Sequence, residues 1–174
     1  MFSPATHPAL RGEQAEVARK ATSSKIQTVG RKLRVLFLCT ANSCRSQMAE
    51  GWARALASDV FEPCSAGVEA RGLDPRAVTA MEENGVDISG HRSKSMDELR
   101  GEVFDLVVTV CDSAAESCPV FPGRSERIHR SFDDPPRLAR DAVTEQEAMV
   151  HYRRIRDQMR EFVAELSSRI RMRV

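Results

Sequence analysis

In the stretch LCTANSCRSQMAEGW, residues 38–52, a cysteine closes an apolar run and an arginine follows six places later. A loop between a strand and a helix N-terminus presents backbone N–H groups and the positive end of the helix dipole, which suits a tetrahedral oxyanion. Arg45 adds a planar fork that can take two of the anion's oxygens. The same positive surroundings stabilise a thiolate on Cys39, and the Ser46 hydroxyl is placed to donate to its sulfur. Cys39 thus reads as an activated nucleophile aimed at a bound anion. The bland alternative, an inert buried cysteine, is disfavoured by the strand before it, the helix-forming run after it and the adjacent Ser46. A nucleophile that expels a poor leaving oxygen also needs a proton donor. SFDDPP, residues 131–136, offers Asp133 and Asp134, and Asp134 lies directly before a proline that keeps its segment extended. Alone this is a weak signal, because aspartate before proline is also a common turn signature.

These residues need elements to place them. RVLFLC is a continuous apolar run, as expected for a parallel strand buried on both faces, and SQMAEGWARALA after it is helix-forming. VFEPCSAG reads as a second strand, pushed toward a sheet edge by Pro63. LDPRAVTAMEENG reads as a capped helix, with Asp74 at the N-cap, Pro75 at the first position and Gly85 past the end. FDLVVTVC is the clearest strand, and RIHR, residues 127–130, can supply a fourth. Thr144 and Glu147 form a capping box that opens a long last helix. Its apolar stripe of Ala148, Tyr152, Ile155, Met159, Phe162, Leu166 and Ile170 faces the sheet. Strands alternating with helices predict an α/β fold: a single doubly wound domain with a four-stranded parallel sheet flanked by helices, its ligand site beyond the C-terminal strand ends.

The 174 residues fit one domain, and Lys+Arg 26 against Asp+Glu 25 gives a net charge of +1, with no general attraction to nucleic acid or membrane. Residues 1–32 read as a basic, disordered N-terminal extension, with room for a short helix over residues 12–21, and residues 33–174 as the domain. No stretch is apolar enough to span a membrane and no secretory signal is apparent, so a cytoplasmic protein is expected. Five cysteines, Cys39, Cys44, Cys64, Cys111 and Cys118, are then better read as thiols than as a disulfide framework. Lone His91 and His129 read as surface or cap residues.

CTANSCRS followed far downstream by FDDP resembles the low-molecular-weight protein tyrosine phosphatase family. LCTANSCRSQMAEGWA, SAGVEA, VVTVC and FDDP together resemble its thioredoxin-coupled arsenate reductase branch, over residues 34 to 165. Chemistry separates the branches. Phosphomonoester hydrolysis through a cysteinyl-phosphate, the alternative activity, needs one cysteine. Arsenic(V) on a thiolate can leave as arsenite only if another thiol takes its place in a disulfide, which a third thiol then passes outward. CDSAAESC supplies such a pair, with Cys111 at the C-terminal end of a strand. The plain alternative for the pair is two small buried residues.

Carried over residue by residue, the resemblance makes Cys39 the nucleophile, Ser46 its stabiliser and Asp134 the general acid. It makes the amides of Thr40, Ala41, Asn42, Ser43, Cys44 and Arg45, with the Arg45 side chain, the oxyanion cradle. Cys111 would resolve first and Cys118 second. It implies reduction of arsenate to arsenite for arsenic detoxification, thioredoxin as external reductant, no metal or organic cofactor, and a monomer. DPPR lacks the aromatic residues that would stack on a phenyl ring, which counts against the phosphatase branch. Cys44 has no assigned role and Cys64 is expected in the core. Some relatives hold potassium through equivalents of Asn42 and Ser65 and an aspartate in the segment here reading SGHRSKS. Lys94 stands in the acidic place, which argues against that ion and for an ammonium in its stead.

Overall fold

The computed structural model describes residues 31–173, so the expected extension lies almost wholly outside the described residues. Its described end, Arg31, grips Asp105 with both guanidinium nitrogens at 2.7 and 2.6 Å, and this pairing pulls the Asp105 carboxyl below its usual range.

Four parallel strands form one sheet in the order β2-β1-β3-β4: β1 Leu33–Cys39, β2 Phe61–Gly67, β3 Leu106–Thr109 and β4 Glu126–His129. The most apolar run takes a central place, with Val35 paired to Pro63 on one side and Leu106 on the other. Pro63 sits on an edge strand, where its missing N–H costs no ladder bond. The strand expected over residues 104–111 is shorter than the pattern suggested. Val110 still donates to Leu38 O at 2.8 Å, but Cys111 has turned to cap the next helix.

Between the strands run α1 Arg45–Ala57, α2 Pro75–Glu82 and α3 Asp112–Ser117; α4 Pro135–Leu138 and α5 Glu145–Arg171 follow β4. Asp74 caps α2 by accepting from Arg76 N, and Gly85 takes the positive φ of 73° that ends its turn. The Thr144 and Glu147 capping box opens α5. On α5 the buried face is wider than the expected stripe: Met149 and Val163 are buried while Phe162 is only partly so. A helix packed on both α1 and α2 buries an arc of about 100° or more, broader than one line of residues. Crossovers of this kind bring the C-terminal ends of β1 and β3, with Cys39 and Cys111, to the same sheet edge.

Candidate active site

The loop from Thr40 to Cys44 turns between β1 and α1, and its carbonyls are tied outward. Thr40 O accepts from Glu69 N at 3.0 Å, Ala41 O from Arg71 N at 3.1 Å and Ser43 O from Asp74 N at 2.9 Å. In a planar trans peptide the N–H points opposite the C=O, so tethering the carbonyls turns the amides inward. Among the described residues, the amides of Ala41, Ser43, Cys44 and Arg45 donate to no protein acceptor. All four residues line a cavity of about 860 Å³ with Cys39 and Asp134. Such a concave array of free N–H groups at a helix start is an anion cradle.

Gly67 makes the close approach possible. A Cβ there would fall 2.3 Å from Glu69 O and 2.6 Å from Asn42 N.

Beneath the loop, Asn42 sits at φ 45°, in the left-handed region that asparagine tolerates. Its amide nitrogen donates to Ser46 Oγ and Ser65 Oγ, both at 2.9 Å. Its Oδ1 accepts from Gln47 Nε2 at 3.0 Å and Lys94 N at 2.8 Å. Because Ser46 Oγ accepts from Asn42, its hydroxyl hydrogen is free for the Cys39 sulfur 2.9 Å away. The Asn42 backbone N–H reaches the same sulfur at 3.2 Å. Cys39 therefore carries two donors in a buried setting.

Glu50, buried on α1, accepts from Ser65 Oγ at 2.6 Å and pairs with Arg54 at 2.7 Å. Arg54, not Lys94, thus supplies the cation in this network. The Lys94 ammonium lies out at Arg92 O, 3.4 Å away, so the expected substitution of that ammonium for an ion is corrected.

Asp134 follows β4 as the N-cap of α4, at the cavity mouth. Arg45 spans to it, with Nη2 3.0 Å from Asp134 Oδ1 and Nη1 donating to Phe132 O at 3.0 Å. Asp133 instead faces outward and pairs with Arg154 on α5 at 2.9 Å. Opposite Asp134, Tyr152 of α5 donates to Asp74 Oδ2 at 2.7 Å, and burial together with that carboxylate raises the phenol. Asp74 is therefore held by α5 while its backbone holds Ser43. Burial likewise pushes the Cys44 thiol well up, as befits a neutral N-cap residue packed under α1. Cys64 is half-buried rather than deep in the core, and burial raises its thiol too.

Cys111 is buried beside the cradle, its sulfur 3.3 Å from Thr40 Oγ1. Cys118 ends α3, so the two thiols bracket one six-residue helix as N-cap and C-cap. Both are free, and burial raises the Cys118 thiol against the lowering pull of Arg127.

His129 lies at the surface as expected, but neither histidine is alone. His91 Nδ1 donates to Gln47 Oε1 at 3.0 Å, bracing the side chain that braces Asn42, and burial lowers its pKa. His129 lies 2.8 Å from Thr109 Oγ1 and 3.1 Å from Asp112 Oδ1. Gln47, Glu50, His91 and Tyr152 were not visible as site residues in the sequence. Only the helical spacing of Glu50 and Arg54 hinted at any of them.

With this geometry in view, comparison places the chain: residues 34–173 match the family of low molecular weight phosphotyrosine protein phosphatases, and the chain belongs to that family. Within it, the chain is 49% identical over 125 residues to the arsenate reductase of Bacillus subtilis, spanning 72% of this chain and 88% of that one. It is 47% identical, with the same coverage, to the arsenate reductase of Halalkalibacterium halodurans. A solved arsenate reductase in a phosphate-binding state superposes with a TM-score of 0.61 at 32% identity, covering 80% of this chain and 99% of that one.

Proposed function

We propose that this chain is an arsenate reductase that works through Cys39, Cys111 and Cys118, with thioredoxin restoring the last disulfide to thiols. The observation that carries the relay is the position of Cys111, whose sulfur touches Thr40 at the mouth of the anion cradle. A hydrolase would have no use for a second thiol there.

In this reading arsenate enters on the free amides of Ala41, Ser43, Cys44 and Arg45 and takes over the Arg45 fork, freeing the Asp134 carboxyl to face the leaving oxygen. The Cys39 thiolate attacks arsenic, a S–As bond forms, and the expelled oxygen leaves as water with a proton from Asp134. Cys111 then attacks the Cys39 sulfur. The electron pair of the S–As bond stays with arsenic, which departs as arsenite, and a Cys39–Cys111 disulfide remains. Cys118 attacks Cys111 and releases Cys39 as thiolate. Thioredoxin reduces the Cys111–Cys118 disulfide. Among the described residues no helix is long and apolar enough to cross a membrane. The same reading makes the chain a cytoplasmic monomer acting in arsenic detoxification.

The test is arsenite release from arsenate with thioredoxin, thioredoxin reductase and NADPH, run beside an aryl-phosphate assay. Sustained arsenite release that Cys39→Ser abolishes is the expected result. Phosphate-ester turnover without arsenite release would make the chain a phosphomonoester hydrolase instead.

A further inference from the structure

The relay needs Cys118 to move, and the structure identifies what holds it. Seven residues at about 1.5 Å rise put the two caps of α3 roughly 10 Å apart, whereas a disulfide needs Cα atoms within about 7 Å. Helix α3 must therefore unwind, and its ends are held differently. At the first end, Cys111 rests on Thr40, and Asp112 accepts a hydrogen bond from His129, itself bonded to Thr109. At the second end, Arg127 Nη2 of β4 donates to Pro119 O at 2.8 Å across an exposed surface. The Cys118 thiol points to that same carbonyl, 3.6 Å away. Cys118 and Arg127 also share the wall of a small cavity of about 190 Å³ between α3 and β4. Two residues beyond Pro119, Phe121 is buried edge-on against Phe104, with ring centroids 5.3 Å apart. The stretch free to move thus lies between Cys111 and Phe121, and the Arg127 contact falls inside it.

We propose that Arg127 is a positioning residue that latches Cys118 at the far end of α3 in the reduced enzyme, while His129 holds the Cys111 end still. The latch rests on the three-cysteine reading above. When Cys118 attacks Cys111, the Cys111–Cys118 bond forms and the Cys39–Cys111 bond breaks. Cys39 leaves as thiolate and the Cys118 proton passes to solvent, with no net change in electrons. Pro119, bonded directly to Cys118, is drawn off Arg127 in that step. The latch therefore stabilises only the dithiol form, whereas the His129–Asp112 contact persists in both.

The experiment equilibrates the full chain with dithiothreitol redox buffers, without arsenate, and quantifies the Cys111–Cys118 disulfide by alkylation and mass mapping. Arg127→Met is expected to shift the equilibrium about three- to tenfold toward the disulfide, roughly 15–30 mV to more negative potential. His129→Ala should shift it less than about twofold. Single-turnover arsenite release, which precedes the Cys118 step, should be unchanged in Arg127→Met. An unshifted or opposite potential in Arg127→Met overturns the latch while leaving the relay standing. A chain that forms no Cys111–Cys118 disulfide overturns both.

Discussion

Cys39 and Cys118 are thiols of one proposed reaction, yet their surroundings have opposite construction. Around Cys39 the contacts are buried and redundant. The Asn42 side chain alone makes hydrogen bonds to four different residues, and three loop carbonyls are pinned to the segment of residues 69–74. Around Cys118 they are few and solvent-facing: a carbonyl, an exposed arginine and a helix of six residues. A nucleophile that must meet a tetrahedral anion gains from fixed geometry, since misplacement of about 1 Å can cost roughly a hundredfold in rate. A thiol that must carry a disulfide outward gains from a segment that opens at little cost.

The sharpest break between the two regions is Cys118→Ser. If the fixed half works alone, this variant releases one arsenite per chain and then halts as a Cys39–Cys111 disulfide. Sustained thioredoxin-coupled turnover would merge the two regions into one and sink the relay. Next in size is Gly67→Ala, which breaks the fixed half. Its added methyl meets backbone, not yielding side chain, so arsenate reduction should fall by at least about a hundredfold. Overpacking should also cost about 1–3 kcal/mol, read by thermal or urea unfolding. Unchanged activity would show that the loop tolerates displacement after all.

The smallest expected effect sharpens the comparison by titration. Burial lowers His91, so below its ordinary value near 6.5 the unfolded chain binds a proton that the folded chain resists. Stability contributed above that value is lost as pH falls through it. His91→Asn, which can still donate to Gln47, should flatten this slope. Partial exposure holds the difference below about 1 kcal/mol. A slope equal to that of the unsubstituted chain would remove His91 from the loop's support.

Signals carried by neighbouring residues were legible in the sequence. Asp74, Pro75 and Gly85 bound α2, Thr144 and Glu147 open α5, and Pro63 sends β2 to the edge. The cradle loop was legible as well, because Cys39, Arg45 and Ser46 lie on one strand–loop–helix turn. Its support was not. Gln47 meets His91 and Asp74 meets Tyr152 only after the chain has crossed the sheet, and no periodicity encodes such pairings. Both histidines looked alone for the same reason. Lys94 misled differently: its backbone, which every residue type shares, does the work that its side chain was expected to do.

The hydrogen bond from Tyr152 to Asp74 has a consequence for synthesis. Asp74 fixes the Ser43 carbonyl, and Tyr152 belongs to the last helix of the domain. During translation the nucleophile loop emerges early, but its outer brace arrives only with the final helix. A nascent chain would carry Cys39 without a finished cradle until α5 has folded onto Asp74.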